Sequence, residues 1–78
     1  DGRSWLEVRD SRDRELVYTL YYGADPVELR GWAPFEVFLG NSPAVTVRLN
    51  GARIDKSAFT RSDNTAGFIV DASGARAR

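Results

Sequence analysis

Apolar residues recur at every second position over most of the chain, the spacing of strands with one buried face. In Ser4–Arg9 (SWLEVR), Leu6 and Val8 fall on one side and Trp5, Glu7 and Arg9 on the other. Residues 10–14 (DSRDR) are polar and predict a hairpin turn. Asp13 is the residue placed to take positive φ there, which Asp tolerates better than most. Glu15–Tyr21 (ELVYTLY) follows as a strand, its alternation aligning Leu16, Tyr18 and Leu20. Residues 22–26 (YGADP) predict a turn, and residues 27–30 a short strand with Val27 and Leu29 inward.

After the irregular stretch 31–34 (GWAP), Phe35–Leu39 places Phe35, Val37 and Leu39 on one face and Glu36 and Phe38 on the other. The segment GNSP (40–43) predicts a corner: Gly40 frees the backbone, Asn41 and Ser42 bond locally, and Pro43 fixes the path onward. Residues 44–49 predict a strand with Val45, Val47 and Leu49 inward. Asn50-Gly51 is the strongest hairpin signal in the chain, since both residues accept the positive φ of a type I′ turn. Residues 52–54 pair back, residues 55–64 form a loop with one helical turn near 57–60, and residues 65–71 (TAGFIVD) make the last strand. The expectation is an all-β fold, a small antiparallel β-sandwich or barrel of about seven short strands. It spans residues 1–71 as one domain, with 72–78 (ASGARAR) a disordered tail.

Composition narrows this picture. A core drawn from 78 residues is small. There is no Cys, so no disulfide and no thiolate metal site, and no His, the commonest metal ligand and general base. No metal and no cofactor is expected. Stability must come from packing, for which two Trp, three Tyr and four Phe are a source. The predicted core is Trp5, Leu6, Val8, Leu16, Leu20, Phe35, Val37, Leu39, Val45, Val47, Leu49, Ile54, Phe68 and Val70. Eleven basic and eleven acidic side chains cancel, which argues against a nucleic-acid partner. No apolar run approaches a membrane span, and the opening DGRSW has no signal-peptide character.

The candidate chemistry is thin. Asp10, Asp13 and Glu15 gather carboxylates around one turn, but Arg9, Arg12 and Arg14 lie among them. Solvated carboxylates beside Arg make poor general acids, so the cluster reads as a charged hairpin turn and no catalytic residue is assigned. Arg48, Arg53, Lys56 and Arg61 make a locally basic stretch, which reads as a solvated face. The aromatic residues carry more. Trp5 reads as a plug at the core edge, partnered by Trp32 or Phe59. Phe38 lies opposite the inward residues of its strand. If that face is solvent, Phe38 with Trp32, Tyr21 or Tyr22 forms an apolar patch for a protein partner; if both faces are covered, Phe38 is core.

The ordered pieces "SWLEVRD", "ELVYTLYYGADP", "APFEVFLGNSPAVTVRLNGARID" and "AGFIV" resemble the C-terminal domain of the RodZ family, bacterial cell-shape proteins. The resemblance covers residues 4–70. It is most specific in the Trp-x-Glu-Val-x-Asp opening and in the run over 34–55. The resemblance implies a cytoplasmic helix-turn-helix domain that binds the actin-like protein MreB, then one helix anchored in the inner membrane. This region then lies in the periplasm or its equivalent. It implies a non-enzymatic domain whose partners are proteins of the wall-elongation complex; peptidoglycan, bound on an aromatic platform, is the alternative. Three positions depart from the family pattern. The first turn carries Asp13 or Arg14 where Gly is usual, Lys56 stands where Leu is common, and Ala66-Gly67-Phe68 replaces Ala-Arg-Phe.

Overall fold

A computed structural model of the chain describes residues 2–23 and 25–78. Asp1, where the expected domain begins, and Ala24, within the expected 22–26 turn, lie outside the described residues. Among those described there are seven strands and two 3-10 turns. The strands are β1 (Ser4–Arg9), β2 (Glu15–Tyr21), β3 (Phe35–Leu39), β4 (Arg48–Leu49), β5 (Ala52–Arg53), β6 (Ala66–Asp71) and β7 (Gly74–Ala77). Every pairing is antiparallel. Five strands form one sheet in the order β2-β1-β3-β6-β7, and β4 and β5 form a separate hairpin. The fold is all-β, as the alternation predicts.

One face of the sheet carries the core: Leu6, Val37, Leu39, Ala66, Phe68 and Val70. The segment from the GNSP corner to Phe59 covers it, packing Val45, Val47, Leu49, Ile54 and Phe59 against those residues. The second layer is therefore a two-residue-per-strand hairpin flanked by the 3-10 turns Ser42–Ala44 and Ser57–Phe59. The Phe59 and Phe68 rings stack across the layers with centroids 5.7 Å apart. Among the described residues, no such layer covers the opposite face of the sheet.

The turn chemistry follows the residues. Asp13 has φ 62°, and Asn50 and Gly51 have φ 51° and 83°. The GNSP corner is a knot. The Gly40 amide donates to the Trp5 carbonyl (2.9 Å), and a Cβ at Gly40 would sit 3.0 Å from that of Trp5. Asn41 is tied to the first strand twice, its backbone amide donating to Ser4 Oγ and its side chain to the Arg3 carbonyl. Ser42 is buried, and its hydroxyl meets that of Thr60 at 2.8 Å. Because Thr60 gives its one proton to the Lys56 carbonyl, Ser42 is the donor of that pair.

Four expectations need correction. In β2 the residues facing the core are Val17 and Tyr21, not Leu16, Tyr18 and Leu20; Leu20 is 39% exposed and Tyr18 56%. The reason is a bulge: Arg9 pairs with Glu15 but Val8 with Val17, so Leu16 is an extra residue and the strand beyond it turns over. Residues 27–30 form no strand, and Val27 and Leu29 are exposed. Of residues 44–49 only Arg48–Leu49 is strand, the 3-10 turn occupying the start. The tail is ordered: β7 pairs with β6, with Ala75 and Ala77 facing Val70 and Phe68.

Candidate functional site

The face of the five-stranded sheet opposite the core is a continuous surface built by regular structure. Its residues follow from strand parity. The register aligns Tyr18, Glu7, Phe38 and Gly67 in one row across β2, β1, β3 and β6. A second row holds Arg9, Glu36, Ile69 and Arg76. Leu20 and Trp5 pair beside the first row. Trp5 and Tyr18 pack edge to face, with centroids 4.9 Å apart and planes at 86°. Trp5, Phe38 and Ile69 are half-buried by their neighbours, and Tyr18 and Leu20 stand exposed.

Charged groups are interleaved with these apolar residues, Glu7 between Tyr18 and Phe38 and Glu36 between Arg9 and Ile69, and most of them are paired. The Trp5 indole N–H donates to Glu7 Oε2 at 2.7 Å. Arg9 reaches Glu15 and Asp13, each at 3.4 Å, and Arg76 reaches Asp71 at 2.8 Å. The Arg78 side chain lies over Gly67, 3.4 Å from where a Cβ would stand, and its guanidinium comes within 3.9 Å of Glu36. Between these groups is a depression of about 50 Å³ lined by Glu7, Arg9, Glu15, Tyr18, Glu36, Phe38 and Arg78. Ligand pockets run to roughly 300–1,000 Å³, so a flat partner fits this face better than a small molecule.

A second polar centre holds the hairpin end of the sheet. The Asp10 carboxylate is fully buried. Its Oδ1 accepts the backbone N–H groups of Arg12 and Arg14, both at 3.0 Å. Its Oδ2 accepts Arg14 Nε at 3.1 Å and the Trp32 N–H at 3.4 Å. Burial pushes this carboxyl up, but the hydrogen bonds from Arg14, Trp32 and Arg12 outweigh it and hold it below the ordinary range. Gly31 is required beside it: a Cβ there would lie 2.8 Å from Oδ2. Trp32 is thus docked by its backbone while the residue stays 49% exposed, with the Arg12 guanidinium 3.9 Å and that of Arg14 5.3 Å from its ring centroid. The carboxylate is committed to architecture. Asp13 and Glu15 turn outward to Arg9.

The four residues predicted as an interaction patch are not brought together. Phe38 lies on the open face, among Glu7, Tyr18 and Glu36. Tyr21 faces the core side, its hydroxyl donating to the Asp25 carbonyl at 2.7 Å. Tyr22 is exposed beyond the end of β2, near Gly2, whereas Trp32 stands at the opposite end of that ribbon beside Asp10. Trp5 is corrected in both role and partner: it lies on the open face against Tyr18, away from the core cluster, and contacts neither Trp32 nor Phe59 by ring stacking. Sequence reasoning missed Tyr18, Leu20 and Ile69 as open-face residues. For Ile69 the signal was plain in its alternation with Phe68 and Val70; for the other two the bulge hid it.

The basic stretch divides. Arg48 and Arg53 are exposed and directly paired across the β4–β5 hairpin. Lys56 instead turns in and donates to the carbonyls of Ser42 and Val45, tying the corner to the second layer. Burial lowers its affinity for a proton, and Arg53 lowers it further. No group of three or more acidic residues among the described residues is placed to hold a metal ion. No helix among them is long and apolar enough to cross a membrane.

The family described as RodZ C-terminal domain matches residues 1–68. No solved structure matches the chain.

Proposed function

The chain belongs to the family of RodZ C-terminal domains, a family of cell-shape proteins, and from that premise we propose that it is a binding domain acting outside the cytoplasmic membrane. On this reading it belongs to a membrane-anchored protein and contacts proteins of the wall-elongation machinery through the open sheet face. The observation that carries the reading is the strip of Trp5, Tyr18, Phe38 and Ile69 on a sheet face left without a second layer. Aromatic side chains, the residues enriched at protein interfaces, stand here on one sheet face interleaved with the charges of Glu7 and Glu36. The mechanism is recognition without bond making.

A glycan platform is the weaker reading. It needs a bare ring face, and Arg12 already lies over Trp32 while Tyr18 abuts Trp5. The test is a photo-crosslinking residue at position 38 of the full-length protein in growing cells, with position 62 in the 60–65 loop as the control. Crosslinks to elongation proteins from position 38 alone support the reading. A Phe38→Ala protein that folds normally and still maintains rod shape defeats it. Amide shifts of the open face on adding soluble peptidoglycan fragments would favour the glycan reading instead.

A further inference from the structure

The sheet order leaves β2 at one rim and β7 at the other. β2 is joined to β1 alone, and no backbone hydrogen bond from a loop among the described residues reaches it. Alternate residues of such a strand turn N–H and C=O away from the sheet. Natural edges are protected by Lys, Pro or inward charges. Beyond the bulge, Val17 to Tyr21 (VYTLY) has none of these. The other rim is guarded: β7 is four residues long and carries Arg76, held by Asp71.

We propose that β2 pairs with β2 of a second copy, antiparallel about a two-fold axis at Thr19. This register pairs the whole regular stretch. Tyr18 meets Leu20 of the second copy on the open face. Val17 meets its Tyr21 on the core side, and Thr19 meets its own counterpart. Each is a favourable cross-strand combination: aromatic with aliphatic, aromatic with β-branched, and Thr with Thr. No charge faces a like charge, because the stretch contains none. An edge that complements its own reverse points to a second copy as its partner. Such an axis stands perpendicular to the sheet, so both open faces point the same way on a ten-stranded sheet. The interface is small, and association is concentration-dependent.

The test uses the full chain. Sedimentation across the micromolar to millimolar range should show a reversible monomer–dimer equilibrium. Thr19 is exposed, so Thr19→Lys should keep the wild-type melt yet abolish the dimer, by setting two ammonium groups opposite each other. The chain has no Cys, so Thr19→Cys reports the axis directly. It should oxidise to a covalent dimer at least about ten times faster than Ser62→Cys. Phe38→Ala, two strands from the edge, should leave association unchanged. A wild-type chain that stays monomeric at millimolar concentration overturns the proposal. So do equal oxidation rates, association that survives Thr19→Lys, or growth past the dimer through β2-on-β7 pairing.

Discussion

Phe68 has no exposed surface, and its ring stacks on Phe59, the one aromatic contact between the two layers among the described residues. Phe68→Ala should therefore cost about 3–5 kcal/mol, read as a shift in urea midpoint. Trp5 is as large, yet it is half-buried on the open face and touches no core residue's ring. Trp5→Ala should cost only about 1–2 kcal/mol, chiefly its contact with Tyr18 and the bond to Glu7. Equal losses for the two substitutions would show that the open face is covered. Gly67 makes the opposite case. It has ordinary strand φ, and a Cβ there meets only the flexible Arg78 side chain at 3.4 Å. Gly67→Ala should stabilise the domain by about 0.5–1 kcal/mol, because it removes backbone freedom from the unfolded chain. A lower melting temperature would mean that Arg78 cannot give way. The resemblance places Arg at this position; here a guanidinium arrives from Arg78, just past β7, instead.

Each element shows how far alternation reaches. In the β4–β5 hairpin, Asn50-Gly51 sets the turn and two pairs make the ladder, one of them Arg48 against Arg53. Like charges directly opposed weaken a hairpin, so Arg53→Glu should stabilise the fold by about 0.2–1 kcal/mol, more at low salt. A salt-independent melting temperature would contradict this. The period-two pattern alone gave the inward sets of β1, β3 and β6 and the outward placement of Phe38, because those strands are regular and one-sided. It failed at β2, where the extra residue Leu16 flips the parity, a local event with no composition signal. It failed at residues 27–30, where an apolar rhythm exists but no neighbouring strand accepts it. In the tail, the Ala-Arg-Ala-Arg rhythm of residues 75–78 was itself a strand pattern, obscured because its inward residues are small. Trp32 was beyond reach for another reason: its position depends on a bond to Asp10, 22 residues away.

For the whole molecule, the charges decide how stability varies with pH. With no His, no side chain of ordinary pKa titrates between about pH 5 and 8, and side-chain titration should leave stability flat there. Below that range four carboxylates matter. Asp71 is lowered to about 2 by the Ser73 hydroxyl, Arg76 and the Ser73 amide. Asp55 and Asp63 are held low by the same amide-and-hydroxyl pairing with Ser57 and Thr65, and Asp10 by its buried network. Each folded value lies below the unfolded value of 3.8. The unfolded chain therefore takes up protons first as pH falls, and the stability these groups contribute is lost from about 3.8 downward, for Asp71 until about 2. Lys56 acts at the other end with the opposite charge. Its folded value is also lowered, so burying the ammonium opposes folding at neutral pH, and that cost fades as pH rises toward 10.5. Urea midpoints measured from neutral to pH 2 should thus hold level and then drop, and Asp71→Asn should flatten part of the drop. A midpoint at pH 3 equal to that at pH 7 would mean that these carboxylates are as readily protonated in the fold as in the free chain.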